Sequence, residues 1–323
     1  MTPPTSASLN AAEVTVWTSP DRANLAGELL DVMGGSVRPI GVGGPRSGEL
    51  DDLGKRLGCA AGNDLRKLLI ERPAASLLVT SLQGASIADL QSAAQDGTKV
   101  VCLEPLSVEL DELGKLEGPA LPESVTFAPS FLRSPGFLAA ADPQESVHPP
   151  QLIRLTSLGR PPHGSLLARL LDAWTTALEF TPMPETISAS LTGPTSPIRQ
   201  ITGQLAAHAR VANGNTVLIE ASDTAASTRR ELSVLSDEAQ LRVSDGAYEL
   251  HQSDGNILDA SDTPTEQPSF VDLLAHQWRL TLDRPAPAAA PQRQALACVH
   301  ACLLSARTGQ PESPSNLLQL SRA

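Results

Sequence analysis

Short apolar runs alternate with stretches of helical periodicity along the first half of the chain. Residues 13–18 (EVTVWT) and 76–80 (SLLVT) have the length and composition of buried strands. Residues 23–33 repeat leucines at helical spacing and stop before Gly34. The strands predicted in this way are 13–18, 37–42, 76–80, 99–103 and 124–127, and the helices are 23–33, 50–57, 64–70, 86–94 and 108–116. Such alternation predicts a parallel sheet covered by helices on both faces.

The second half of the chain has a different pattern. Residues 166–178 place leucines and a tryptophan on one stripe of a long helix. Along residues 201–211, apolar positions alternate with polar ones such as Gln204, His208 and Arg210. The other predicted strands are 151–157, 216–221, 230–235, 240–243 and 247–250, and the closing helices are 270–282 and 294–306. This order predicts a mostly antiparallel sheet with one buried and one polar face.

Two dipeptides, Asn-Gly at 213–214 and Asp-Gly at 245–246, are typical of tight hairpin turns between these strands. We therefore predict an α/β protein of two domains. Residues 1–130 form a Rossmann-like domain with a doubly wound parallel sheet, and residues 131–323 form an α+β domain with a mostly antiparallel, open sheet. Prolines cluster between residues 128 and 150, where we place the boundary.

Composition narrows the class of protein. The chain of 323 residues is 41% hydrophobic and carries 24 basic against 36 acidic residues, a net charge of −12. A binder of nucleic acid or of anionic membranes needs a basic surface, so we expect neither partner. No apolar run approaches the length of a membrane span, and the first residues have neither a basic start nor an apolar signal core. We therefore expect a cytoplasmic protein.

Four cysteines are too few for the disulfide framework of a secreted protein. Cys298 and Cys302 lie four residues apart on a predicted helix, but His300 between them faces another side. We therefore expect buried thiols in a reducing compartment and no metal site.

The turn after the first predicted strand decides whether this sheet binds a dinucleotide. Such a turn carries G-x-G-x-x-G, whose glycines let the backbone approach a pyrophosphate at a helix N-terminus. Residues 18–24 (TSPDRAN) contain no glycine, and Asp21 adds a negative charge beside the phosphates. We expect instead that Ser19 or Asp21 caps the following helix, with Pro20 in its first turn.

Glycines follow the second predicted strand instead, in residues 41–48 (GVGGPRSG). This run is similar to a P-loop, except that Glu49 replaces the lysine, so no P-loop is predicted. In dinucleotide enzymes an acidic residue near this point grips the ribose hydroxyls, and Gly44 is found here. Arg46 has two interpretations, a contact to a 2′-phosphate or a solvated loop arginine.

Four stretches, in order along the chain, resemble one family. They are residues 97–107 (GTKVVCLEPLS), 163–167 (HGSLL), 209–222 (ARVANGNTVLIEAS) and 305–311 (SARTGQP). They are similar to the G-K-H-V-x-x-E-K-P-L-A run, the start of the second-domain helix, the N-G…E-A-S hairpin and the closing S-x-R-T-G-x-P of the Gfo/Idh/MocA oxidoreductases. The resemblance covers most of the chain and implies the two-domain fold predicted above.

Members of this family bind NAD(H) or NADP(H) and oxidise or reduce a carbon of a sugar or cyclitol. The resemblance implies where their functional groups fall in this chain. The lysine of E-K-P, which contacts the substrate and the nicotinamide ribose, is replaced by Glu104 when the motif is aligned on Pro105. A shift of one residue keeps the glutamate of the motif as Glu104 and deletes the lysine. Either alignment leaves the cation missing, and a carboxylate cannot supply its charge.

The D-x-G-x-H motif of the family's second-domain helix is also absent. Counted from the glycine that starts this helix, its aspartate falls on Ala168 and its histidine on Asp172. Shifting the alignment so that Asp172 is the aspartate places Trp174 and Thr176 at the other two positions. His163 lies before the helix, where we expect a loop residue.

Two hypotheses follow from these departures. In the first, the chain is a catalytically degenerate member of the family for which no cofactor is expected. It acts by binding or assembly, either as a homo-oligomer through the open sheet of its second domain or with an active relative as its partner. The polar face of that sheet is expected to include Thr202, Gln204, Ala206, His208 and Arg210.

In the second hypothesis, the chain is an active NAD(P)-dependent enzyme with a divergent site. Its candidate catalytic residues are Glu104 and Asp172, and its candidate cofactor-binding residues are Ser19, Arg22, Arg46 and Pro105. The first turn distinguishes the two hypotheses, because a crevice filled by Asp21, Arg22 or Leu82 excludes a dinucleotide.

Overall fold

A computed structural model describes residues 11–106, 125–194, 200–212, 214–261, 267–283 and 292–320. The predicted helix 108–116 and Asn213 of the first predicted hairpin turn lie outside these ranges. The described residues form two sheets, one from each half of the chain.

The first sheet has six parallel strands in the order β3-β2-β1-β4-β5-β6. Its strands are β1 (Ala12–Trp17), β2 (Val37–Gly43), β3 (Ala60–Gly62), β4 (Ser76–Val79), β5 (Lys99–Cys102) and β6 (Val125–Phe127), and its helices are α1 (Ala23–Met33), α2 (Gly48–Leu57), α3 (Leu65–Glu71) and α4 (Ile87–Gln95). Apolar cores lie on both faces. The strand order reverses between β1 and β4, which makes the carboxyl ends of these two strands the switch point of the sheet.

Two helix starts in this domain contrast with each other. Ser86 caps α4 by accepting a hydrogen bond from the Asp89 N–H, as predicted. The 3-10 turn Pro20–Arg22 leads into α1, which receives no side-chain cap at its start. The predicted cap by Ser19 or Asp21 is therefore wrong, whereas the proline lies in the first turn as expected.

The second sheet has eight strands in the order β14-β13-β12-β11-β7-β10-β9-β8. Its strands are β7 (Leu152–Leu158), β8 (Thr186–Thr192), β9 (Gln204–Arg210), β10 (Thr216–Ser222), β11 (Arg229–Leu235), β12 (Ala239–Ser244), β13 (Tyr248–Gln252) and β14 (Ile257–Ala260). The remaining helices are α5 (Pro135–Ala139), α6 (Leu166–Phe180), α7 (Phe270–Asp283), α8 (Gln292–Thr308) and α9 (Pro314–Leu320). β7 and β10 are parallel neighbours, and the other pairs are antiparallel.

One face of the second sheet is apolar and covered, mainly by α6 and α8. Strand β9 shows the alternation that causes this, since Leu205 and Ala207 are buried while Gln204 and His208 are exposed. The predicted one-sided strand is confirmed, and so is the predicted fold class for both sheets.

The apolar pattern does not predict β3, β8 or β14. All three are edge strands. β14 is exposed along its whole length, and in β8 only Ile187 is fully buried. An edge strand is half solvated, so its sequence does not need the apolar residues by which the inner strands are recognised.

Helix α7 lies late in the chain but packs on the first sheet. Phe270 and Trp278 belong to the core that α1 forms with that sheet, and Trp278 Nε1 donates a hydrogen bond of 3.0 Å to Ser76 Oγ on β4. Gln277 exchanges hydrogen bonds of 2.8 and 2.7 Å with the backbone of Ser130. The chain thus returns to the first domain after building the second sheet. The boundary placed between residues 128 and 150 stays a prediction.

Candidate functional site

The switch point between β1 and β4 is where a sheet of this order binds its ligand. The two strands end at Trp17 and Val79, and the hydroxyls of Thr18 and Thr80 just beyond them are hydrogen-bonded at 2.6 Å. Both threonines are fully buried. The carboxyl ends of the two central strands are therefore tied directly to each other.

The chain leaving β1 carries side chains where a dinucleotide site needs glycine. A G-x-G-x-x-G run that starts at the last residue of β1 has its glycines at the positions of Trp17, Ser19 and Arg22. All three side chains are buried. The Trp17 indole donates from Nε1 to the Gln83 carbonyl at 3.0 Å and lies against Gly43, where an added Cβ would come 2.5 Å from Trp17 Cε3. The indole therefore fills the space between the ends of β1 and β2.

Arg22 crosses the crevice above the switch point. Its guanidinium donates from Nη1 to the Thr80 carbonyl and from Nη2 to Glu104 Oε1 at 2.5 Å. Nη2 also lies 3.5 Å from the carbonyl oxygen of Pro161 in the second domain. Asp21 is exposed beside it. Arg22 thus contacts the end of β4, Glu104 after β5 and the second domain at once.

Glu104 joins the two domains. It follows β5 in the first domain, and its carboxylate accepts hydrogen bonds from the Ser165 N–H at 3.1 Å and from Ser165 Oγ at 2.5 Å. Ser165 is the N-cap of α6 in the second domain, so the carboxylate lies at the positive end of that helix. We call these contacts the Arg22–Glu104–Ser165 bridge. The side chains of Arg22 and Glu104 are 9% and 14% exposed, so water screens their attraction little.

The candidate residues of the first domain are brought together only in part. Arg22 and Glu104 are each other's partners, and both oxygens of Glu104 accept hydrogen bonds from the chain itself. Ser19 and Pro105 are buried near them. Arg46 is exposed in the loop after β2.

Asp172 lies on α6 in a second buried cluster. Its Oδ1 accepts from the Phe131 N–H at 2.9 Å, and its Oδ2 accepts from Arg230 Nη1 at 3.0 Å. Arg230, on β11, also donates from Nη2 to Asp245 Oδ1 at 2.6 Å. Burial lowers the pKa of Arg230, but the carboxylates of Asp245 and Asp172 outweigh burial and raise this pKa above its ordinary value. Asp172 is therefore paired with a permanent cation.

Arg230 and Asp245 are members of this cluster that the sequence analysis missed. Asp245 belongs to the predicted Asp-Gly turn. An aspartate is expected in such a turn, so its presence there gave no sign of a buried partner. Arg230 carried a usable signal, because it shares the inward face of β11 with Leu232 and Val234. A charged residue on the apolar face of a strand needs a buried counterion.

His163 lies in the turn before α6, as predicted. Its ring stacks on Phe270 of α7 with centroids 4.4 Å apart, and Nδ1 lies 2.8 Å from Thr228 Oγ1. Burial, and then the charge of Arg169, lowers the pKa of His163 to about 4. The ring is therefore neutral at pH 7. Because Phe270 belongs to the core of the first domain, the stack is a second contact between the domains.

Little space remains between these groups. A cavity of about 20 Å³ lies between Leu103 and Phe270 of the first domain and Asp172 and Arg230 of the second. Small-molecule sites usually measure ~300–1,000 Å³. This cavity by itself is therefore far smaller than a site for a sugar or a nicotinamide ring.

Three further features characterise the described ranges. Cys102, Cys298 and Cys302 are buried free thiols, and Cys59 is half-buried. No group of three His, Cys, Asp or Glu side chains is placed to hold a metal ion. No helix there combines the length and the apolar character needed to cross a membrane.

No family model matches the chain, and no curated protein matches it. Solved structures do match. UDP-N-acetylglucosamine 3-dehydrogenase GnnA from Acidithiobacillus ferrooxidans gives a TM-score of 0.67 at 14% identity, over 95% of this chain and 99% of its own. A myo-inositol dehydrogenase from Corynebacterium glutamicum gives 0.64 at 14% identity, over 94% of this chain and 98% of its own. An oxidoreductase from Agrobacterium radiobacter, in complex with NAD+, L-tartaric acid and magnesium, gives 0.67 at 12% identity, over 95% and 99%.

These neighbours match the chain over both domains. The chain has the two-domain fold of the Gfo/Idh/MocA oxidoreductases. The resemblance stated from four short stretches is thereby confirmed at the level of the fold. In this Gfo/Idh/MocA fold, the Arg22–Glu104–Ser165 bridge lies between the carboxyl ends of the strands of the first sheet and the helix that carries Asp172.

Replacing Arg230 with glutamine leaves the carboxylates of Asp172 and Asp245 buried without their cation. Breaking one side of a buried ion cluster costs about 3–5 kcal/mol, so we expect a loss of this size in the free energy of unfolding in urea. The control is Arg242→Gln on the neighbouring strand, where the side chain is exposed and a change within about 0.5 kcal/mol is expected. Equal losses in the two variants contradict a structural role for the cluster.

The neutral His163 predicts a pH dependence of stability for this Gfo/Idh/MocA fold. Its pKa is about 4 in the folded chain and about 6.5 in an unfolded one, so the folded state binds fewer protons between these values. The stability linked to His163 is fully present above about pH 6.5 and is lost as the pH falls toward 4. His163→Phe keeps an aromatic ring against Phe270 and is expected to flatten this slope.

The measurement is the free energy of unfolding as a function of pH, with His208→Gln as the control because His208 is exposed on β9. The control is expected to keep the wild-type slope. A wild-type slope in His163→Phe contradicts the assignment.

Proposed function

We propose that this protein is a catalytically degenerate chain of the Gfo/Idh/MocA fold that acts by binding or assembly. The observation that carries the proposal is the Arg22–Glu104–Ser165 bridge, which crosses the crevice with groups of the chain itself. A helix N-terminus and a guanidinium are the groups that hold an anionic ligand in such sites. Here the start of α6 and the guanidinium of Arg22 both donate hydrogen bonds to the carboxylate of Glu104.

The residues at the switch point do not fit a bound NAD(P). The backbone N–H groups of Arg22 and Ala23, at the start of α1, donate to the carbonyls of Ser19 and Pro20 and so are turned away from a pyrophosphate. The Trp17 indole fills the space that the first glycine of the fingerprint leaves open. Both observations support a chain that needs no cofactor.

The candidate catalytic groups support the same proposal. A general base has to reach the proton that it removes. The carboxylate of Glu104 accepts hydrogen bonds from Arg22 and Ser165, and that of Asp172 is paired with Arg230. The position of the lysine in the E-K-P motif carries no cation in this chain. Arg22 does not replace that cation either, because Glu104 neutralises its charge.

The alternative is an active NAD(P)-dependent enzyme that acts on a sugar or cyclitol. The observation that favours it is the fold, because one neighbour is a complex with NAD+ and others are named dehydrogenases. Activity requires the bridge to break and the domains to separate, so that Arg22 and Glu104 become available. Arg46, exposed beyond β2, is then the candidate contact for a 2′-phosphate.

For assembly, we propose the open face of the second sheet. The side chains of Gln204, His208 and Arg210 are exposed there, and a groove of about 610 Å³ crosses the face beside Arg154 and Arg242. Such a polar face is suited to a wet interface with a second copy or with an active relative. The acidic chain and its free thiols support a cytoplasmic protein that binds neither nucleic acid nor membranes.

Thermal unfolding with millimolar NAD+, NADH, NADP+ or NADPH tests the proposal. A ligand that binds only the folded state adds ~2.7 kcal/mol at a hundredfold excess over its Kd, which raises the unfolding midpoint by several degrees. We expect no shift with any of the four. Sedimentation velocity of the same samples is expected to show a dimer or larger species. Arg210→Glu and Arg154→Glu on the open face are expected to weaken this association.

Two outcomes contradict the proposal. The first is a raised midpoint with one dinucleotide; a shift with NADPH that Arg46→Gln abolishes identifies the alternative enzyme. The second is a monomer at all concentrations that binds no partner through the open face, which removes the assembly role.

A further inference from the structure

The groove on the open face of the second sheet has the size of a ligand site. It measures about 610 Å³ and runs along β7, β11, β12 and β13. Small-molecule sites usually measure ~300–1,000 Å³. The groove is open to solvent on one side, so a ligand reaches it without any movement of the domains. None of the residues of the Arg22–Glu104–Ser165 bridge lines it, so the groove is separate from the switch point.

The register of the sheet places two arginines on either side of a small side chain in this groove. Ser233 on β11 lies opposite Arg154 on β7 and opposite Arg242 on β12. The residues that alternate with these three are buried, so all three side chains point to the open face. Neighbouring strands lie about 4.8 Å apart, which separates the backbones of the two arginines by about 10 Å. Both guanidiniums can therefore reach one small group above Ser233.

These two arginines have no carboxylate partner within the described part of the chain. Arg154 makes no hydrogen bond or ion pair there. Arg242 has one polar contact, in which Nη2 lies 3.5 Å from Gln240 Oε1. Both side chains are exposed and both line the groove. Their ten N–H donors are therefore almost all available to a ligand.

The two carboxylates that line the groove have other contacts. Glu231 Oε1 lies 2.6 Å from Arg229 Nη2, and Glu249 Oε2 lies 3.0 Å from His251 Nε2. Glu249 is the cross-strand neighbour of Arg242, but it forms no ion pair with it. Three arginines and two glutamates line the groove, so its walls carry one net positive charge in a chain whose net charge is −12. This local excess of positive charge favours an anionic ligand.

The arrangement of donors favours phosphate over carboxylate. A guanidinium binds either group through two parallel hydrogen bonds. One guanidinium occupies both oxygens of a carboxylate, whereas a phosphate monoester has three free oxygens to share between two guanidiniums and a hydroxyl. Ser233 Oγ accepts a hydrogen bond from Gln240 Nε2 at 2.9 Å, and its own O–H remains available as a donor.

The rest of the groove determines the rest of the ligand. The side chains that β7, β11 and β12 point into it are all polar, and Thr156 and Ser244 add hydroxyls at its sides. An apolar group gains little against such walls, whereas hydroxyl groups find both donors and acceptors. We propose that the groove binds a small phosphorylated polyhydroxy compound, with its phosphate between Arg154 and Arg242. This proposal deepens the binding role proposed above and rests on it.

Isothermal titration calorimetry in a phosphate-free buffer of constant ionic strength tests the proposal. Glucose 6-phosphate is the probe, and glucose, inorganic phosphate and succinate are the comparisons. We expect glucose 6-phosphate to bind with a Kd below about 1 mM, inorganic phosphate to bind more weakly and glucose and succinate not to bind. Arg154→Gln and Arg242→Gln each raise the Kd at least about tenfold, because each removes charged hydrogen bonds to the phosphate.

The matched control is Arg66→Gln, which removes an exposed arginine of α3 and is expected to keep the wild-type Kd. Unfolding midpoints of the variants confirm that they are folded. No binding of glucose 6-phosphate to the wild type overturns the proposal, and so does an equal Kd in wild type and Arg242→Gln. Succinate that binds as tightly as glucose 6-phosphate also overturns it, because the site is then not selective for phosphate.

This proposal and the proposed function fail in different measurements. A dinucleotide shift that Arg46→Gln abolishes reports on the crevice of the first domain and contradicts the proposed function. The calorimetric response to glucose 6-phosphate reports on the groove, through Arg154→Gln and Arg242→Gln.

Discussion

The carboxylate of Glu104, held between a guanidinium and a helix N-terminus, is the interaction on which the closed arrangement of the domains depends. A buried carboxylate is costly unless charge and hydrogen bonds compensate it. Arg22 compensates it from the first domain, and Ser165 compensates it from the second. Closing the domains and satisfying the buried charge are therefore one event. The stack of His163 on Phe270 lies beside this centre and adds apolar contact to it.

The departures from the family's motifs are linked to each other in the structure. When the E-K-P motif is aligned on Pro105, the resemblance implies a cation where Glu104 is found here, and a G-x-G-x-x-G run that starts at Trp17 has a glycine where Arg22 is found. The chain has the reverse arrangement, with the cation in the first turn and the carboxylate after β5. Either change alone leaves an unpaired buried charge. Arg22 and Glu104 therefore compensate each other's charge in this chain.

The fold followed from the sequence because its inner strands and helices carry strong apolar periodicity, as in β9 and α6. The edge strands β3, β8 and β14 did not, since solvent relaxes their pattern. The sequence predicts that the first turn lacks a dinucleotide site. It does not predict that Arg22 pairs with Glu104, which lies 82 positions away. Likewise Asp172 was singled out without its partners. Contacts between distant charged residues depend on how the domains pack, and local periodicity holds no record of that packing.

A double-mutant cycle between Glu104 and Ser165 tests the central claim most directly. Glu104→Ala, Ser165→Ala and the double variant are compared by their free energies of unfolding, and the cycle cancels the loss of the cap that Ser165 provides for Ala168. A hydrogen bond to a buried charged group contributes about 1.5–3 kcal/mol, so a coupling energy in this range is predicted. A coupling energy near zero means that the hydrogen bond from Ser165 Oγ to the Glu104 carboxylate does not hold the domains together, which contradicts the account.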